Sequence, residues 1–192
     1  MAHIALFHSV LGLRQVELLA AERLRRAGHE VVTPDLFDRR TAATVDKGFQ
    51  LIERMSWKTV IDRARQALTG MPDRTVLIGV SMGAGVVADL WPERPDTAGV
   101  LLLHATATLP ASARPGLRMQ MHAAEPDDFA PPEQVAALRR AAAAAAAAAA
   151  KRIQREIFRY PGAGHFYTDL ELPDHDPAAA ELTWHRVLDF LR

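Results

Sequence analysis

Short apolar runs alternate along this chain with longer segments whose apolar residues recur every three or four positions. His3 to Phe7 (HIALF) is strand-like, and Leu13, Val16, Ala20, Leu24 and Ala27 then mark one face of a helix. Gly28 stands where a helix stop belongs. Glu30 to Thr33 reads as a second strand closed by Pro34, and Asp46 to Leu68 as one long helix ended by Thr69, Gly70 and Pro72. Strands follow at Thr75–Ile78, Gly99–Leu103, Arg118–His122 and Ile153–Phe158. Helices are expected at Met82–Leu90, from near Pro131, and at Ala178–Leu191. Phe49, Met55 and Trp57 fall in the long second helix, where packing on the helix face is the favoured role and lining of a pocket the alternative.

Strands that alternate with helices predict an α/β architecture: about six mostly parallel strands in one sheet, with helices on both faces. The 192 residues are of a size for a single domain, 1–192. In such sheets the functional crevice opens at the carboxyl ends of the strands, near a topological switch point. Chemistry-bearing residues are therefore expected just after strands.

Composition narrows the partners. Lys plus Arg and Asp plus Glu both number 23, so a net charge of zero leaves no basic footprint for nucleic acid or an anionic membrane. The first apolar run is too short to span a bilayer and lacks the basic flank of a secretory leader. The absence of cysteine excludes disulfides, thiolate catalysis and cysteine-ligated zinc, and fits a cytoplasmic location. Ala141 to Ala150 is a low-complexity run. Alanine is the strongest helix former, so this run extends the helix that begins near Pro131 and carries no chemistry.

One motif carries chemistry. Gly79-Val80-Ser81-Met82-Gly83 is a G-x-S-x-G sequence set between the apolar strand TVLIG and the helical MGAGVVADL. By average residue usage the bare pattern arises by chance roughly once in twenty chains of this length. Its strand–turn–helix placement is what a nucleophile elbow requires. A serine there needs a base, and the base needs a carboxylate to orient it. His165, in YPGAGHFY directly after the sixth strand, is the best placed of eight histidines. His8, His104 and His122 also end strands and read as packing or supporting residues. The acid belongs between serine and histidine in chain order, where Glu125, Asp127 and Asp128 compete in AEPDDFAPPEQV.

GVSMGAG, AEPDDFAPPEQV, YPGAGHFY and the closing PDHDPAAAELTWHRVLDFL together resemble the dienelactone hydrolase family of α/β-hydrolases, as do LFHSVLGL and TPDLF near the start. The resemblance covers nearly the whole chain. It implies Asp127 as the acid, His165 as the base, and the backbone amides of Met82 and Val10 as oxyanion donors. The type enzymes of that family carry cysteine where this chain has Ser81. They also place a glutamate after the first strand where this chain has Ser9.

The two differences agree, because a serine relies on its histidine and gains nothing from a carboxylate that helps form a thiolate. The resemblance further implies a minimal, capless form of the fold that starts at the equivalent of the family's third strand. The expected activity is carboxylic ester hydrolysis through an acyl-enzyme on Ser81, acting on small ester or lactone substrates with no metal or organic cofactor. Thioesters, amides and acyl transfer use the same apparatus. The rival reading is a non-catalytic α/β-hydrolase-fold protein that binds a small ligand or partner. A monomer or a homodimer is expected. Activity is expected to rise from pH 5 to 8 as the base becomes neutral, histidine having an ordinary pKa of about 6.5. Asp174, His175 and Asp176 form a charged turn before the last helix, a weak candidate for a metal.

Overall fold

The computed structural model describes residues 1–111, 113, 114, 116–148 and 154–192. Six parallel strands form one sheet: β1 (His3–Phe7), β2 (Glu30–Val32), β3 (Val76–Val80), β4 (Gly99–Leu103), β5 (Arg118–Glu125) and β6 (Gln154–Pro161). Their spatial order is β2-β1-β3-β4-β5-β6. The order reverses between β1 and β3, which pair with Phe7 opposite Gly79. The loops after those two strands diverge there, leaving a crevice at the sheet's carboxyl edge.

Among the described residues six α-helices cover the sheet: α1 (Gln15–Arg26), α2 (Val45–Met55), α3 (Trp57–Ala67), α4 (Met82–Leu90), α5 (Pro132–Ala148) and α6 (Pro177–Phe190). Both faces are buried, so the strands read as near-continuous apolar runs. The pleat still sorts alternate residues to opposite sides. Ala5, Phe7, Leu77, Val100 and Leu102 face α3, α4 and α5, packing on Val60, Ala64, Val86, Val87 and Leu138. Ile4, Leu6, Val76, Ile78, Leu101 and Leu103 face α1 and α6, packing on Ala21, Leu24, Val187 and Phe190.

The predicted helix over 46–68 is two helices. Ser56 lies between them with φ +71°, its N–H closing α2 on the Ile52 carbonyl and its hydroxyl accepting the Thr59 N–H at the start of α3. Serine competes for backbone donors and is favoured at such caps, but it does not interrupt the apolar period that suggested one helix. The break changes the direction of the chain so that α2 and α3 both reach the crevice. Elsewhere β5 and β6 run about three residues further than the sequence pattern indicated. Ile153, the expected start of the sixth strand, and the last two residues of the alanine run lie outside the described residues.

Candidate active site

Ser81 ends β3 and caps α4 with φ +49° and ψ −110°, a backbone conformation strained for any residue but glycine. Close packing holds the turn. A Cβ on Gly79 would stand 2.4 Å from the Gly83 carbonyl oxygen, and one on Gly83 would stand 2.3 Å from the Phe7 carbonyl oxygen. Both positions therefore require glycine. The Ser81 N–H donates to the Leu103 carbonyl at 2.7 Å, tying the turn to β4. The turn aims the Ser81 hydroxyl out of the sheet edge toward the loop after β6.

There the hydroxyl meets His165 Nε2 at 3.0 Å. His165 Nδ1 lies 3.0 Å from each carboxylate oxygen of Asp127. The Asp127 side chain is fully buried, and one of its oxygens also accepts the Phe129 N–H at 2.9 Å. Glu125 and Asp128, the competing acids, are exposed and take no part in this chain of bonds. The loops carrying Asp127 and His165 are joined by the Gly162 N–H donating to the Glu125 carbonyl at 2.9 Å. The imidazole itself sits between the rings of Phe129 and Phe166, with centroids 4.5 and 4.4 Å away.

The two backbone donors named from the resemblance lie beside this serine. Met82 is the first residue of α4, where the helix dipole favours negative charge. Val10, in the loop after β1, lines the same cavity as Ser81, Met82 and His165. Neither N–H is engaged by a carbonyl or side chain of the described residues. The Val10 loop is pinned from two sides. A Cβ on Gly48 of α2 would stand only 2.2 Å from the Val10 carbonyl oxygen, so helix and loop touch backbone to backbone.

From the other side comes Glu17, a residue that the sequence reading passed over. Its carboxyl accepts the Ser9 hydroxyl at 3.1 Å and the Arg14 N–H at 3.0 Å, bracketing the loop. Ser9 Oγ in turn accepts the Leu11 N–H at 3.3 Å. Burial pushes the Glu17 pKa up, against the hydrogen bonds from Arg14 and Ser9 that pull it down. The signal existed: Glu17 is three residues after the helix cap, the spacing of a capping box. Arginine at the cap position, where serine or threonine is usual, hid it.

The other strand-end histidines are structural. His8 Nδ1–H donates to the Ser9 carbonyl at 2.7 Å, and its Nε2 accepts the Leu36 N–H at 3.0 Å. Burial lowers its pKa to about 4. His122 is hydrogen-bonded to Tyr160 and Gln120 at 2.8 Å each, and burial lowers its pKa to about 3. His104 is the nearest to the site: its Nε2 is 2.7 Å from Thr168 Oγ1, and its ring centroid is 5.9 Å from that of His165. Burial, then the charge of His165, holds its pKa well below the histidine norm. In the acidic turn, Asp174 accepts the Phe166 N–H at 3.1 Å, and Asp176 accepts the N–H groups of Ala178 and Ala179 at 3.0 Å. These carboxylates build the loop that carries His165 and the cap of α6.

A cavity of about 400 Å³ opens in front of Ser81. Phe49 and Ile52 of α2, Trp57 of α3, and Phe129 after β5 form much of its wall. The sequence left pocket lining and helix-face packing open for Phe49 and Trp57, with packing favoured; both line the cavity. Met55 does pack in the core, next to Arg63.

Comparison with solved structures supports the fold. A dienelactone hydrolase-like promiscuous phosphotriesterase from metagenomic libraries is 18% identical, with a TM-score of 0.76 over 98% of this chain and 84% of that one. A Butyrivibrio proteoclasticus protein with ferulic acid bound is 12% identical, with a TM-score of 0.64 over 100% and 88%. A phospholipase/carboxylesterase from Dyadobacter fermentans is also 12% identical, with a TM-score of 0.58 over 97% and 90%. At these identities the likeness is one of fold, the α/β-hydrolase fold. No curated protein matches the sequence. The family model for dienelactone hydrolases matches residues 2–192, and the chain accordingly belongs to the dienelactone hydrolase family.

Proposed function

We propose that the protein is a serine hydrolase that cleaves carboxylic esters through an acyl-enzyme on Ser81, with His165 as general base and Asp127 as its orienting acid. The observation that carries this reading is the unbroken hydrogen-bonded chain from the Ser81 hydroxyl through His165 to Asp127, at 3.0 Å for each step. Membership in a family of hydrolases supports it.

The Asp127 carboxylate accepts the Nδ1 proton, which leaves the Nε2 lone pair facing the serine. As Oγ attacks the ester carbonyl, Nε2 takes the hydroxyl proton and the carbonyl π pair moves onto oxygen. The Met82 and Val10 amides stabilise that oxyanion; one such donor is worth about 10²–10³ in rate. Collapse breaks the bond to the alcohol, which leaves with the proton held by His165. Water then gives its proton to His165, adds to the acyl carbon and releases the acid, restoring Ser81. Every proton donated is taken up by the same imidazole, so the chain needs no second base.

A fluorophosphonate probe with intact-protein mass spectrometry tests the reading. One equivalent of label on Ser81, absent in Ser81→Ala and accompanied by turnover of p-nitrophenyl acetate in the unmodified enzyme, is expected. A protein that takes no label and turns over no ester would be a binding protein on the same fold, and the proposal would fall.

A further inference from the structure

The wall of the cavity before Ser81 is apolar except at the reacting groups. Among its described lining residues, only Ser81 and His165 offer polar side chains, and none is charged apart from that imidazole when protonated. The rest are aliphatic or aromatic, and Phe49 and Phe129 stand at the rim, 43% and 42% exposed. Neither arginine nor lysine is among those described lining residues. Arg63 of α3 donates to the Leu36 carbonyl at 2.8 Å, and Arg159 of β6 donates to the Ala130 carbonyl at 2.7 Å. A carboxylate drawn into this cavity would lose water and find no cation in exchange, which is strongly unfavourable.

One residue sets the wall toward α4. The Trp57 indole lies across Gly85, its ring carbons 3.5 and 3.6 Å from where a Cβ at Gly85 would be. Its Nε1–H donates to Asp89 at 2.7 Å, fixing the ring from the outer side. The polar edge is thus held at the surface, and the apolar face is left for the cavity.

We infer that this site takes uncharged esters with an apolar acyl chain and rejects acyl groups that bear a carboxylate, and that Trp57, seated on Gly85, sets how long a chain it accepts. The inference rests on the hydrolase reading and narrows it to a substrate class. It departs from the free carboxylate of a dienelactone, for which this cavity holds no counter-ion. Chain length matters because each methylene taken from water into an apolar wall improves binding about fourfold.

Steady-state kinetics on p-nitrophenyl esters, from acetate to decanoate, tests it alongside a matched pair, p-nitrophenyl hexanoate and mono-p-nitrophenyl adipate. Expected is a kcat/KM that rises about fourfold per methylene before levelling, and a loss of at least ~10²-fold for the adipate relative to the hexanoate. Trp57→Ala should move the levelling point to longer chains. Gly85→Val, which pushes the indole into the cavity, should move it to shorter ones. Circular dichroism and thermal melts establish that each variant is folded. A flat chain-length profile, a preference for adipate, or a levelling point that neither variant moves would overturn the inference. If Ser81 is still labelled by the fluorophosphonate in that case, the hydrolase reading stands while this one fails. Absence of both labelling and turnover would remove both.

Discussion

The Glu17 carboxyl holds the hydroxyl of Ser9 at 3.1 Å, and through it fixes the loop that presents the Val10 amide to the cavity. The acid reaches this place from α1, eight residues along the chain, and is only 3% exposed. A carboxyl is thus present behind the first strand, where it accepts the Ser9 hydroxyl and the Arg14 N–H. On the hydrolase reading proposed above, its effect on catalysis runs through the shape of the loop that carries Val10.

Glu17→Gln separates that role from simple burial. An amide has one acceptor oxygen, so either the Ser9 end or the Arg14 end loses its bond. Values of kcat are expected to fall ~10- to 100-fold with KM changed less than threefold, since the loss is felt at the oxyanion. Stability should move the other way with pH. The pKa of Glu17 is raised from 4.5, so the unfolded chain releases this proton first and the group's contribution declines as pH rises above 4.5. Urea titrations at several pH values should show the variant gaining on the parent over that range.

Asp127→Asn should lower kcat by about 10³–10⁴-fold, because an amide cannot enforce the imidazole tautomer with its Nε2 lone pair toward Ser81. Glu125→Gln and Asp128→Asn, both at exposed positions of the same loop, should change kcat less than twofold. Equal losses at all three would mean that the loop's charge, not the Asp127 bond, is what matters.

Gly48→Ala places a Cβ 2.2 Å from the Val10 carbonyl oxygen. Backbone on both sides leaves no soft side chain to yield, so about 1–3 kcal/mol of stability should be lost. Activity of the folded fraction should fall as the Val10 amide shifts. Thermal melts and active-site titration together distinguish unfolding from misplacement.

Acid should destabilise the protein well before its carboxylates titrate. His8 and His122 are buried with pKa values lowered from 6.5 to about 4 and about 3, and that of His104 is lowered as well. Below pH 6.5 the unfolded chain takes up protons that the folded chain refuses, so stability falls as pH drops toward 4. At pH 5 His8 and His122 each contribute a loss of about 2 kcal/mol relative to neutral pH. Replacing His8 by Gln should flatten part of that slope; an unchanged slope would show that His8 titrates normally.

Runs such as VLIGV and GVLLL, punctuated by Gly and Pro, announced the strands because a doubly covered sheet demands apolar residues on both faces. The elbow was equally legible, since the glycines around Ser81 answer a local steric demand. The break at Ser56 was not legible: the apolar period continues through it, and only the packing of α3 on α4 shows why the chain turns. The competition among Glu125, Asp127 and Asp128 was likewise open from the residues alone, because all three are carboxylates within one loop.

What the sequence determined by itself is therefore local: element types, the strained turn at Ser81, and a histidine in a glycine-rich loop after a strand. Tertiary structure decided which acid meets that histidine, which helix faces border the cavity, and that Glu17 braces the loop after β1. These depend on distances between segments far apart in the chain. The order of strands in the sheet sets those distances, and no spacing along the chain expresses them.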